Sequence, residues 1–216
     1  MDRSPVTIDQ WAALLARFGV RDADAVAPSG NGLLAAYGAE RRRYHSLEHL
    51  ASVLAAVDRL AEHADEPDRV RLAAWYHDAV HEPDGRGNDE LRSAQLARTE
   101  LAAIGLDPTT VHEVARLVEL TANHDPAPDD RNGTVLCDAD LWILGSDRDR
   151  YDHYVRRVRA EYDHVPDDAW RSGRAAVLRS FLERPAIYAT RPGRQREPAA
   201  RANLERELRS LCGATR

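Results

Sequence analysis

The stretch that decides the fold is Pro67-Asp68-Arg69-Val70-Arg71-Leu72-Ala73-Ala74-Trp75-Tyr76-His77-Asp78-Ala79-Val80. Pro67 and Asp68 suit a helix start, because proline lacks an N–H that the first turn would leave unused and an acid favours the positive end of the dipole. From Val70 to Tyr76 the residues are almost continuously apolar, and a helix apolar nearly all round belongs in the centre of a bundle. The spacing predicts a buried helix over Leu72–Val80 that carries His77 and Asp78 inward at its end. Pro83-Asp84-Gly85 reads as the turn that stops it.

Working outward, other segments show helical periodicity and none shows sustained strand alternation. Thr7-Ile8-Asp9-Gln10 has the form of a capping box, opening a helix over about 7–18 that stops at Gly19. Ser46 stands where a cap would precede a helix with apolar positions Leu47, Leu50, Val53, Leu54, Val57 and Leu60. Further helices are expected near Asn88–Ile104, Pro108–Ala122, Asp147–Tyr162, Asp167–Leu182 and Glu197–Leu211, with a turn at Arg191-Pro192-Gly193. The expected fold is all-α, a single helical bundle over residues 1–216, with the helices at about 7–18 and 197–211 packing on the core.

Composition fits this reading and removes several functions. At 216 residues, 43% hydrophobic and 31% charged, the chain is long enough to bury a core and is not compositionally disordered. All 30 basic residues are Arg, which excludes a Schiff-base lysine and a P-loop lysine. A net charge of -6 gives no general attraction for nucleic acid or for an anionic membrane. The longest stretch without charge, Ala25 to Ala39, contains Pro28, Ser29, Gly30, Asn31 and Gly32, so it suits neither a membrane span nor a signal peptide. Cys137 and Cys212 form no CxxC and read as reduced thiols. A cytoplasmic location is the default expectation.

Three places carry candidate chemistry. His45 and His49 are four apart, which on a helix stacks two imidazoles on one face, although alone the pair equally describes two solvated histidines. His77-Asp78 follows an apolar run; a carboxylate carried inward is costly unless a cation or a hydrogen-bonding partner meets it. In Val135-Leu136-Cys137-Asp138-Ala139-Asp140-Leu141 the two acids point to different helix faces; Asp138 reads as a helix N-cap, and Asp140 lies among apolar neighbours. His49, His77, Asp78 and Asp140 thus form a set of two imidazoles and two carboxylates from three helices. Such an N/O set favours Mn, Fe, Mg, Zn or Ni over copper(I) or an iron–sulfur cluster.

With these residues in view, the order H…HD…D on an all-α chain resembles the HD superfamily of metal-dependent phosphohydrolases. Tyr44-His45-Ser46-Leu47-Glu48-His49 resembles the YHxxxH motif of its cyclic-nucleotide phosphodiesterase branch, His77-Asp78-Ala79-Val80-His81 its HDxxH, and Ala139-Asp140-Leu141 its ADL. Nearly the whole of residues 1–212 is similar to a bacterial group of predicted metal-dependent HD phosphohydrolases. Arg43-Tyr44-His45, Trp75-Tyr76-His77-Asp78, Glu90 with Ser93-Ala94, Thr121 with His124, Asp138-Ala139-Asp140-Leu141 and Arg201-Asn203-Leu204 carry that likeness. Ser46 departs from the phosphodiesterase branch, which has Asn there, and counts against a cyclic nucleotide.

The resemblance implies that His49, His77, Asp78 and Asp140 are metal ligands, with Asp78 bridging if two ions bind. It implies that His45 protonates the leaving oxygen. His81 and His124 become candidates for a second metal, and His81 also for the substrate phosphate; His81 reads equally as an exposed residue after the helix, and His124 as a helix C-terminal histidine. Glu90 is either a catalytic acid–base that orients a ligand or water, or a plain helix-start acid. Arg43 can grip a phosphate, Arg41 and Arg42 reading as a solvated run.

The implied activity is hydrolysis of a nucleotide or other small phosphate ester by metal-activated water, with one or two divalent ions (Mn, Mg, Fe, Zn or Ni) as cofactor. The alternatives are an HD-fold di-iron oxygenase using the same ligands plus His81 and His124, and a non-catalytic module binding a nucleotide or a partner. The expected partner is a small phosphorylated substrate, with no membrane and no nucleic acid. A homodimer stays open, since apolar helix faces do not tell a core from an interface.

Overall fold

A computed structural model describes residues 5–82 and 87–213, and among them only helices, turns and loops occur. The expected turn at Pro83-Asp84-Gly85 lies outside the described residues. No helix among the described residues is long and apolar enough to cross a membrane. The chain divides into two units, Met1–Asp140 and Leu141–Arg216, and each is taken by itself.

The first unit is built from α1 (Ile8–Arg17), α2 (Ala23–Tyr37), α3 (Leu47–Leu60), α4 (Pro67–Tyr76), α5 (Asp89–Ala103), α6 (Pro108–Leu120) and α7 (Arg131–Asp140). The central helix is α4, which touches α1, α3, α5, α6 and α7. Its Val70, Leu72, Ala73, Ala74, Trp75 and Tyr76 are all buried, as the unbroken apolar run requires. Asn132 of α7 secures its start: the Asn132 carboxamide oxygen accepts the N–H groups of Asp65 (3.1 Å) and Glu66 (2.9 Å).

The capping box of Thr7 and Gln10 forms, and α1 packs Trp11 against Trp75 and Tyr76 with ring centroids 5.2 and 5.8 Å apart. The helix α2 was not expected, because Pro28, Gly30 and Gly32 obscure its pattern. Its buried positions Val26, Ser29, Gly30, Leu33 and Tyr37 nevertheless recur every three or four residues. The small residues make a notch for α1. The Trp11 indole N–H donates to Ser29 Oγ at 3.1 Å, and a Cβ on Gly30 would lie 2.5 Å from Trp11 Cδ1 and 2.3 Å from Ile8 Cδ1.

Two helix limits also differ from expectation. The helix predicted over Leu72–Val80 stops at Tyr76, because side chains from elsewhere take over the backbone groups that would have continued it. Asp138 is not an N-cap; it sits in the last turn of α7 and is 2% exposed. The helix begins earlier, at Arg131, than the apolar run suggested.

The second unit contains a 3₁₀ segment (Leu141–Gly145), α8 (Arg148–Glu161), α9 (Asp167–Leu182), α10 (Arg191–Arg194) and α11 (Glu197–Gly213). The expected turn at Arg191-Pro192-Gly193 is a one-turn helix, since Thr190 Oγ accepts the Gly193 N–H at 3.1 Å. The Asn203 amide donates to the Leu144 and Ser146 carbonyls, both at 2.9 Å, and ties α11 to the end of the 3₁₀ segment. Tyr188 and Arg174 anchor the remainder. The Tyr188 hydroxyl donates to the Leu141 carbonyl at 2.9 Å, and Arg174 pairs with Glu207 at 2.7 Å.

Gly30→Ala is expected to destabilise the chain by roughly 1–3 kcal/mol, the usual cost of overpacking a tight contact. A lower urea midpoint with an unchanged slope would show it; an unchanged midpoint would mean that α1 and α2 separate freely.

Candidate metal centre

The four residues expected to form one site do meet, within the first unit. His49 lies in the first turn of α3 and is 5% exposed; His77 follows α4 and is 1% exposed. Asp78 is next in the chain, and Asp140 is the last residue of α7. His49 Nε2 is 3.1 Å from His77 Nε2, 3.3 Å from Asp78 Oδ2 and 3.2 Å from Asp140 Oδ1. His77 Nε2 is 3.1 Å from Asp78 Oδ2 and 3.6 Å from Asp140 Oδ1.

Three of these residues, His49, His77 and Asp78, make a group that fits a cation, with Asp140 beside both histidines. Ligands about 2.1 Å from one ion stand roughly 3.0–3.4 Å from each other in octahedral or tetrahedral geometry, close to the spacings found here. The His77 ring supplies a second sign. Its Nδ1 is 2.8 Å from the Ala74 carbonyl, which only accepts, so Nδ1 carries the hydrogen and a neutral ring presents its lone pair at Nε2. A ligating histidine commonly holds its other nitrogen this way.

The charges respond as such a cluster must. Burial alone would lower the His49 pKa, but hydrogen bonds to Asp140 and Asp78 push it up to about 9. Burial opposes His77 too, and Asp78 raises it. Burial would raise both acids, yet each is held below the usual carboxylate range. The charges of His77 and His45 dominate for Asp78, and the hydrogen bond from His124 dominates for Asp140.

His45 is not on α3. It precedes Ser46, whose side chain makes no cap to the helix, so the helical-face argument for His45 and His49 does not hold. A bent loop brings the rings together instead, 5.6 Å between centroids, and places the His45 ring 4.1 Å from that of His81. His81 is buried, and its Nδ1 lies 4.0 Å from Asp89 Oδ2. His124, at φ 50° just after α6, directs Nε2 to Asp140 Oδ2 at 2.7 Å. That nitrogen donates to the carboxylate, so the described geometry makes His124 a support for Asp140. Glu90 is half-buried in the first turn of α5, while its neighbour Asp89 accepts the Glu82 N–H at 2.7 Å.

Arg43 is exposed. The arginine of its run that reaches the site is Arg42, 6% exposed, which donates to the carbonyls of Asp78 and Ala79 at 2.6 and 2.8 Å. Tyr37 was also missed; its hydroxyl accepts the Asp78 N–H at 3.1 Å. The three-to-four-residue spacing of buried positions in α2 was the available signal for Tyr37. Nothing in the Arg41–Arg43 run singles out Arg42.

Residues 46–142 match the family model described as HD domain. These residues form an HD domain. No curated protein and no solved structure matches it. HD domains bind divalent metals, and in this HD domain His49, His77 and Asp78 form a group that could hold one. The match covers all four converging residues as well as His81 and His124 and stops two residues past Asp140.

In the metal-free protein His49, with its pKa pushed up to about 9, carries a proton at neutral pH that a cation must displace. The apparent affinity for a divalent ion is therefore expected to rise with pH, by up to about tenfold per unit below pH 9. Calorimetric titration in two buffers of different ionisation enthalpy reads the released protons directly. Uptake with no proton release would contradict a site that includes His49.

Proposed function

We propose that this HD-domain chain is a metal-dependent phosphohydrolase acting on a nucleotide or another small phosphate ester. The observation that supports it best is the convergence of two imidazole nitrogens and two carboxylate oxygens, 3.1–3.6 Å apart in the pairs given above, beside two further histidines. HD domains are often phosphohydrolases, and an N/O set of this kind leaves positions open for water and substrate on an octahedral ion. A divalent ion bound there supplies Lewis acidity and lowers the pKa of water towards 7.

The chain's own residues divide the remaining work. His49, His77, Asp78 and Asp140 hold the ion. His77 is fixed in one tautomer by the Ala74 carbonyl, and His124 fixes the second oxygen of Asp140. His45 is the proton donor to the leaving oxygen, standing beside the cluster on a loop and not inside it. His81, next to His45, receives the phosphate, helped by Arg43 at the exposed side. Glu90 orients water or a ligand from the start of α5.

Two variants separate these roles. Asp78→Ala is expected to abolish metal-dependent phosphate release. His45→Ala is expected to slow hydrolysis of esters with poor, alkoxide-like leaving groups by roughly 10²–10⁴-fold. The same variant should spare a p-nitrophenyl ester, whose leaving group needs no proton. The measurement is phosphate release from a panel of nucleotides and simple esters with Mn, Mg, Zn, Ni or Fe. Two irons per chain with oxygen consumption and no phosphate release would overturn the proposal in favour of an oxygenase.

A further inference from the structure

The HD match begins at residue 46, yet the turn that presents His77 and Asp78 is held by residues that precede it. Asp78 follows the end of α4, where backbone groups have lost their helical partners. Its N–H donates to Tyr37 Oη at 3.1 Å, and its carbonyl accepts from Arg42 Nη1 at 2.6 Å. Arg42 Nη2 donates to the next carbonyl, Ala79, at 2.8 Å, and Nη1 also reaches the His45 carbonyl at 3.3 Å. The two side chains support each other, with the Arg42 guanidinium carbon 5.2 Å from the centre of the Tyr37 ring. Both are buried, Tyr37 completely.

We infer that Tyr37 and Arg42 are positioning residues of the metal centre, so that the working site extends over residues 37–45 ahead of the HD match. This rests on the metal-centre reading above. The peptide groups on both sides of the Asp78 Cα are each fixed by a buried side chain. That restricts its φ and ψ, and with them the direction in which the carboxylate leaves the backbone. The same guanidinium ties the His45 loop to the turn, so one side chain sets the spacing between the proposed proton donor and two proposed ligands. Charge-assisted hydrogen bonds to carbonyls are roughly twice as strong as neutral ones, and a planar fork can serve two carbonyls at once. Tyr37→Phe deletes one oxygen and keeps the ring beneath the guanidinium. Arg42→Lys keeps the charge and loses the fork.

The test uses the full chain and Co²⁺ as the probe. Binding is titrated calorimetrically well below the unfolding temperature of each variant, and the visible absorption of bound Co²⁺ reports ligand geometry. Tyr37→Phe and Arg42→Lys are expected to weaken Co²⁺ binding about 10–100-fold, as loss of groups behind metal ligands usually does. Stoichiometry should be unchanged and the absorption bands shifted. Gly30→Ala, which disturbs α1 and α2 away from the turn, serves as the stability control and should keep the wild-type spectrum.

Affinity and spectrum within about twofold of wild type in Tyr37→Phe would overturn the inference and leave the metal centre standing. An equal loss in Gly30→Ala would overturn it as well, since general destabilisation would then explain the effect. No Co²⁺ uptake by the wild-type chain would overturn both the centre and this inference. Should Arg42→Lys fail to fold, Tyr37→Phe decides alone.

Discussion

A buried helix that stops inside a protein leaves its last backbone groups without helical partners, and burying them unpaired costs more than most single contacts return. In α4 this happens one residue before His77. The shortage is met from several directions. Tyr37 accepts the Asp78 N–H, Arg42 donates to the Asp78 and Ala79 carbonyls, and Ser93 accepts the Val80 N–H at 3.0 Å. The His77 ring returns to the Ala74 carbonyl. The other end of α4 is closed by Asn132 of α7. The central helix of the first unit thus has both ends satisfied by polar side chains of other elements. That is why His77 and Asp78 can stand at the centre of the fold without continuing the helix.

The same arrangement sets the electrostatics. Asp78 and Asp140 are partly buried acids, and each is balanced by imidazoles rather than by one of the chain's many arginines. Imidazoles can surrender a proton to make room for a cation, whereas a guanidinium beside the acids would occupy the site permanently. Arg42 is close to the cluster but turns Nη1 and Nη2 to carbonyls, so these donors hold the turn without closing the centre. The carboxylates are left to the histidines.

Much of this was legible in the sequence where the signal is local. The run Val70–Tyr76 is apolar apart from Arg71, and each of its apolar residues is buried. Thr7 and Gln10 make the capping box that their spacing describes. His77, Asp78 and Asp140 stand out by the conflict between an ionisable group and its apolar neighbours, His49 by its spacing from His45, and the four do come together. The failures have equally specific causes. Pro28 and two glycines hid α2, because propensity disfavours them and only contact with Trp11 makes the small side chains useful. The place of Asp138 in the chain suits a cap, but α7 starts seven residues earlier. The HxxxH spacing suits a helix, while His45 lies on a loop and reaches His49 by a bend that spacing cannot describe.

By itself, then, the sequence determined that this chain is all-α, where most of its helices lie, and which four side chains have reason to share a cation. Those properties follow from periodicity, from caps and from the cost of burying charge, all of which act over a few residues. Only the tertiary structure decided where α4 ends and that Tyr37 and Arg42 hold its end. It alone showed that His124 turns to Asp140 and that Arg42, not Arg43, enters the core. Each of those outcomes depends on a hydrogen bond between groups 16 to 41 positions apart in the chain, and no local pattern encodes which distant partner will satisfy a backbone group or a carboxylate.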